Sequence, residues 1–131
     1  MSARPSPAAK PIRIVLVDDT VDVREMLSLM LGTVSGFEVV GEADDGAEAV
    51  RVAIQLKPDL IVLDLSMPVM DGFEALPHLR AGCPGAKIII FSGFAASDLE
   101  KQARAGGADA YVTKGARRQQ IVEAIEKVVG I

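Results

Sequence analysis

Only one cysteine, Cys83, occurs among 131 residues. A single thiol can form neither an internal disulfide nor a cysteine-based zinc cluster, and it points to a reducing compartment. Long apolar runs are also missing: none approaches the roughly 18 residues that a membrane span needs. The first eleven residues, MSARPSPAAKP, lack the apolar centre of a secretory signal. They read as a disordered tail, residues 1–11, on a soluble, cytoplasmic protein. Positive charge is in short supply, with 14 Lys and Arg against 18 Asp and Glu. The resulting net charge of -4 repels nucleic acid and anionic membranes, so neither is expected as a partner. No internal repeat is visible, and the length suits one domain with one ordinary core.

What the chain has in abundance is apolar side chains, gathered into five short runs. These are IRIVLV (12–17), FEVVGEA (37–43), DLIVLDL (59–65), KIIIFSG (87–93) and ADAYVTK (108–114). The first, third and fourth are nearly continuous rather than alternating, which predicts strands covered on both faces of a parallel sheet. The second and fifth are more mixed and belong nearer the edges.

Helix-period segments separate the runs. Residues 20–34 carry one stripe of Val23, Met26, Leu27, Met30, Leu31 and Val34, with Gly36 as a stop. Residues 46–56 put Ala47, Val50, Ala53 and Ile54 on one side, and Pro58 follows. In 71–80, Asp71 is placed as N-cap, but Pro77 removes the bond to the carbonyl of Phe73, so a short or kinked helix is expected. Segment 97–106 opens with Ser97 and Glu100 at capping-box spacing, yet has little beyond Leu99 and alanines to anchor it. The last helix has Ile121, Val122, Ile125, Val128 and Val129 in one stripe, supported by Glu123 and Lys127. The sum is (βα)5: an α/β, doubly wound, five-stranded parallel sheet with right-handed crossovers. Ligands on such sheets collect at the carboxyl ends of the strands.

Those ends carry Asp18-Asp19, Asp64, Ser92 and Lys114. Alone, each has an ordinary structural explanation: an N-cap, a loop-edge carboxylate, a turn residue, a solvated charge. Together they say more. Three carboxylates in one cleft raise one another's proton affinity unless a cation compensates, and oxygen-only ligands suit Mg²⁺. Lys114 adds fixed positive charge, Ser92 a hydroxyl, and Gly93 room for an anion; these are parts for holding a phosphoryl group.

The acidic pair, D-x-x-M-P-x-M-D-G at 64–72, Ser92-Gly93 and Lys114 together resemble the CheY-like receiver domain of two-component response regulators. The resemblance runs from 12 to 129, so residues 12–131 are taken as the domain. It implies a flavodoxin-like strand order 2-1-3-4-5. It also implies that Asp64 is the phosphoacceptor, taking its phosphoryl group from a phosphohistidine on a sensor histidine kinase or phosphotransfer protein. Asp19 and Asp64 would bind Mg²⁺ with the backbone carbonyl of Ser66, and Asp18 mostly through water. Lys114 would pair with Asp64 before transfer and with phosphate oxygens afterwards, while Ser92 moves in and Tyr111 swings behind it. The face built from the fourth helix, fifth strand and fifth helix would then change, acting on an unknown downstream protein or on a second copy in a homodimer. Such a chain is a signalling phosphoacceptor rather than an enzyme, limited to self-catalysed phosphotransfer and autodephosphorylation.

Departures from the pattern carry their own expectations. Gly115 rather than proline follows Lys114, so a cis bond there would be costly; this resembles the subfamily that usually ends in a helix-turn-helix output domain. Residues 115–131 are consumed by the last helix, which implies a receiver-only protein or a piece of a longer one. Phe94 stands where the family flanks the path of the hydrolytic water, opposite Ser66, and its apolar ring implies slow self-dephosphorylation. His78, beside Pro77 on an exposed turn, is not expected to donate phosphate. Two rivals fit less well: a haloacid dehalogenase-type phosphatase wants D-x-D where this chain has Thr20 and usually a longer chain with a cap, and a phosphorylation-independent pseudo-receiver that only binds would have no need of the intact set Asp18, Asp19, Asp64, Ser92 and Lys114.

Overall fold

The computed structural model describes residues 10–131, without the side chains of residues 96–98, so most of the expected tail lies outside it. Five strands and five helices alternate: β1 (Ile12–Val17), α1 (Val21–Gly32), β2 (Phe37–Ala43), α2 (Gly46–Leu56), β3 (Leu60–Leu63), α3 (Gly72–Gly82), β4 (Lys87–Ser92), α4 (Ala96–Ala105), β5 (Ala110–Thr113) and α5 (Arg118–Val129). All strand pairs are parallel, in the order β2-β1-β3-β4-β5. The (βα)5 fold and the 2-1-3-4-5 order expected from the sequence are both present.

Alternation along each strand sorts the apolar runs into two cores. Val15, Val17, Ile61, Leu63, Ile88 and Ile90 face one side, against Ala49 and Val52 of α2 and Ala75, Leu76 and Leu79 of α3. Ile14, Leu16, Leu60, Val62, Ile89 and Phe91 face the other, against Leu27 and Leu31 of α1 and Ile121, Val122 and Ile125 of α5. Both faces of β1, β3 and β4 are therefore covered, which is why their sequences do not alternate. Each such Leu or Ile contributes about 1.5–3 kcal/mol of burial.

Two helices depart from the sequence expectations. The third is eleven residues long and continues through Pro77. A full capping box opens it, with Asp71 accepting from the Glu74 N–H and Glu74 accepting from the Asp71 N–H. Together with buried Ala75, Leu76 and Leu79, the box outweighs the one backbone bond that proline removes. The fourth starts at Ala96 with Ala95 as N-cap. Ser97 thus falls inside the first turn and is not the cap, because helical backbone is already in place one residue earlier.

Leu65, the apolar residue after Asp64, is 3% exposed and joins the same cluster as Leu63 and Ala75. It pins the loop that follows β3 against α3. The helix start closes in further: the Gly72 N–H donates to the Leu65 carbonyl at 3.0 Å, and a Cβ on Gly72 would lie 2.3 Å from the Asp64 carbonyl oxygen. Only glycine permits that approach. On the other side, the Gly46 N–H at the start of α2 donates to the Met70 carbonyl at 2.8 Å. Between these anchors Val69 stands 85% exposed at φ 67°, a left-handed conformation that a β-branched residue rarely adopts.

Candidate phosphoacceptor and metal site

The carboxyl ends of β1, β3, β4 and β5 bring the predicted side chains into one cleft. Strand pairing carries Asp18 and Asp64 there, since the Asp64 N–H donates to Val17 O (2.9 Å) and the Asp18 N–H to Ala43 O (3.1 Å). The Lys114 N–H donates to Ser92 O at 2.7 Å and seats the loop after β5 beside the end of β4. Asp18 and Asp64 are buried at 2% and 3% exposure, and Asp19 beside them is exposed. One carboxylate oxygen from each of the three lies within 4.8 Å of the others.

Charge inside the cleft is unevenly compensated. The Lys114 ammonium forms ion pairs with Asp18 Oδ2 at 2.8 Å and Asp64 Oδ2 at 3.4 Å. The ion pair with Asp64 expected from the sequence is present but shared: the lysine sits nearer Asp18, whose carboxylate is buried just as deeply. Asp64 Oδ1 accepts from the Ser66 N–H at 3.3 Å, and Asp18 Oδ1 from the Thr20 N–H at 2.9 Å. Burial and the neighbouring Asp18 charge push the Asp64 carboxyl above its ordinary value, with Lys114 pulling it only partly back. For Lys114, burial works to lower the pKa, but the bond to Asp18 and the charge of Asp64 outweigh it and leave it raised. A cation is called for, and three clustered carboxylates with no nitrogen or sulfur ligand fit a hard divalent ion such as Mg²⁺.

The remaining predicted residues surround this centre. Ser92 is 1% exposed, and its Oγ accepts from the Phe94 N–H at 3.1 Å. Half-buried Tyr111 donates its hydroxyl hydrogen to the Phe94 carbonyl at 3.0 Å. Residue 94 thus ties both predicted switch residues through its backbone, a link that its bulky side chain gives no sign of in the sequence. That side chain is 57% exposed. Ser66 is exposed at the rim, and a Cβ on Gly93 would meet nothing within 4 Å, so the space expected beside it is open. The Lys114–Gly115 peptide is trans, as are all peptides among the described residues. His78 is exposed on α3. No helix among the described residues is long and apolar enough to cross a membrane.

Known proteins share both sequence and architecture with this chain. It is 37% identical over 116 residues to the chemotaxis protein CheY of Listeria monocytogenes, covering 88% of this chain and 97% of that protein. It is 39% identical over 122 residues to the transcriptional regulatory protein PdtaR of Mycobacterium tuberculosis, covering 93% of this chain and 58% of the other. Among solved structures, a LuxR-family two-component response regulator from Aurantimonas sp. SI85-9A1 superposes with a TM-score of 0.87 at 38% identity, over 92% of this chain and 86% of that one. The CheX–CheY–BeF3–Mg²⁺ complex from Borrelia burgdorferi superposes with a TM-score of 0.85 at 27% identity, over 91% and 90%. Residues 14–126, which hold every member of the cleft, match the family model described as the response regulator receiver domain. With the fold, the strand-end carboxylates and these relatives in agreement, the chain belongs to the response regulator receiver domain family.

Proposed function

We propose that residues 12–131 act in the cytoplasm as a phosphorylation-controlled switch, with Asp64 as the acceptor. The observation that carries this reading is the convergence of Asp18, Asp19, Asp64 and Lys114 in one cleft. An Asp64 carboxylate oxygen attacks phosphorus, and the bond to a histidine nitrogen of a sensor kinase or phosphotransfer protein breaks, the electron pair leaving with the imidazole. Asp18, Asp19, Asp64 and the Ser66 backbone carbonyl would hold Mg²⁺. When bound there, Mg²⁺ would supply positive charge to neutralise the transferring group. Lys114 and the Ser92 hydroxyl hold phosphate oxygens, and Gly93 leaves the approach open. Phe94 and Ser66 flank the path of the water that ends the signal.

The response travels outward through Ser92, the Phe94 backbone and Tyr111 to the α4-β5-α5 face. A cavity of about 420 Å³ between β5 and α5, lined by Arg104, Tyr111, Val112 and Lys127 among others, offers a docking place there for a downstream protein or a second copy. Incubation with Mg²⁺ and acetyl phosphate, or with the beryllofluoride mimic, tests the reading against Asp64→Ala. Asp64-dependent modification is the expected result; its absence would favour a phosphorylation-independent binding module.

A further inference from the structure

Arg24 belongs to α1, yet its guanidinium works outside the helix. Its Nη1 donates to the Asp18 carbonyl at 2.6 Å and its Nε to Glu42 Oε1 of β2 at 2.9 Å. The arginine side chain is 15% exposed, against 44% for Glu42. A planar fork of this kind serves two acceptors in fixed directions, which the compact ammonium of a lysine cannot do. The carbonyl that it holds belongs to the peptide joining Asp18 to Asp19.

An irregularity in β2 puts Glu42 within reach. Its pairing with β1 matches Ile14 to Val39 and then Val15 to Gly41, leaving Val40 as an extra residue. Val39 packs on the core under α1 and α5, whereas Val40 packs on the core under α2 and α3. Gly41 faces that second side too, since a Cβ there would lie against Val52 and Leu56 of α2. Two consecutive residues on one face reverse the alternation beyond them, so Glu42 turns to the α1 side and Ala43 to the α2 side. Without the extra residue Glu42 would point toward α2, and Arg24 would lose its anchor.

Asp18 is held on every side. Its N–H donates to Ala43 O, its carbonyl accepts from Arg24, Oδ1 accepts from the Thr20 N–H, and Oδ2 pairs with Lys114. Asp19 differs: it is exposed, and among the described residues no hydrogen bond or ion pair fixes its carboxylate. Its direction comes from the backbone. We propose that Arg24 is a positioning residue: anchored on Glu42, it fixes the Asp18–Asp19 peptide and so aims Asp19 at the point where the three carboxylates meet. That this point holds Mg²⁺ rests on the phosphoacceptor reading; the clamp on the peptide does not. Glu42 offsets the charge of Arg24, so what the fork supplies is direction rather than field.

Calorimetric Mg²⁺ titration and amide hydrogen exchange of the metal-free protein, both on the full chain, test it together. Arg24→Met and Arg24→Lys should each weaken Mg²⁺ binding about tenfold, because lysine keeps the charge but not the fork. Glu42→Ala should weaken it about fivefold, and Glu42→Gln, which keeps an acceptor oxygen, should stay within about twofold of the wild type. Without metal, the Asp18 and Thr20 amides should exchange about tenfold faster in Arg24→Met, with Ile61 and Val62 unchanged. Wild-type affinity in Arg24→Lys, or tighter binding in Arg24→Met, would overturn the proposal by showing that charge alone matters. Faster exchange spread evenly through the sheet would overturn it as well, since Arg24 would then only stabilise the fold. If Arg24→Met does not fold, the contrast between Glu42→Ala and Glu42→Gln at their exposed position decides by the same titration. If the wild type takes up no Mg²⁺ but the Asp18 and Thr20 amides still respond, the clamp is supported and the metal reading is what fails.

Discussion

Lys114 lies 2.8 Å from Asp18 and 3.4 Å from Asp64, so one ammonium spans two buried carboxylates. It holds the charges together and also occupies the field that a metal ion would use. Lys114→Met should therefore have effects of opposite sign. Phosphoryl transfer to Asp64 should slow about 10²-fold with the loss of an oriented cation. Mg²⁺ should bind on the order of tenfold more tightly once a competing positive charge is gone. Calorimetric Mg²⁺ titration and phosphorylation rates measured on the same variant would separate the two; weaker metal binding would contradict this account.

The raised pKa of Asp64 makes a prediction about stability and pH. A carboxyl that is harder to ionise in the folded state binds more protons there than in the unfolded chain, so metal-free stability falls as pH rises through that window. Asp64→Asn should raise the melting temperature of the metal-free protein at pH 7. The gain should shrink on acidification, as the wild-type carboxyl becomes neutral, and should also narrow when Mg²⁺ is added. A gain independent of pH would point to a cause other than charge.

Two glycines beside the site should respond in contrasting ways to the same added methyl group. At Gly72 the Cβ would meet backbone 2.3 Å away, so Gly72→Ala should cost about 3 kcal/mol and displace the Asp64 loop. At Gly93 it would meet nothing within 4 Å, so Gly93→Ala should stay within about 0.5 kcal/mol of wild type. Urea unfolding of the two variants decides the point.

Phe94 presents an exposed apolar ring; on the proposed reading it flanks the path of the hydrolytic water, and a phenyl ring cannot orient water through hydrogen bonds. Phe94→Glu should shorten the lifetime of the acyl phosphate on Asp64. Decay followed after removal of the phosphodonor gives the rate directly, and an unchanged or slower decay would count against a gating role for this side chain.

Much of this was legible in the residues themselves. Runs such as IRIVLV and LIVL are apolar on both faces, a pattern that only a doubly covered strand explains, and polar residues breaking such runs at Asp18, Asp64 and Ser92 mark the site. What is not legible there depends on distances between segments far apart in the chain. Nothing local distinguishes a lysine that favours Asp18 from one that favours Asp64. Arg24 and Glu42 stand 18 residues apart with no shared periodicity. At the start of α4, Ser97 and Glu100 stand at capping-box spacing, whereas the helix begins one residue earlier, with Ala95 as its N-cap. Pro77 works in the opposite sense: it signals a break, but the Asp71–Glu74 box and the buried face behind it outweigh a single missing N–H.

The clasp formed by Gly46, Met70, Leu65 and Gly72 has a practical consequence for engineering. Residues 65–72 are closed on themselves by the Gly72–Leu65 bond, tied to α2 by the Gly46–Met70 bond, and packed against the end of β3 at backbone contact distance, so this loop has no slack for added length. The exposed turn at Pro84 and Gly85 is at the amino ends of the strands, opposite Asp64, and Gly85 faces open space. A reporter peptide spliced there should leave the chemistry intact, whereas one spliced into 65–72 should abolish it, making the turn before β4 the natural attachment point for a sensor.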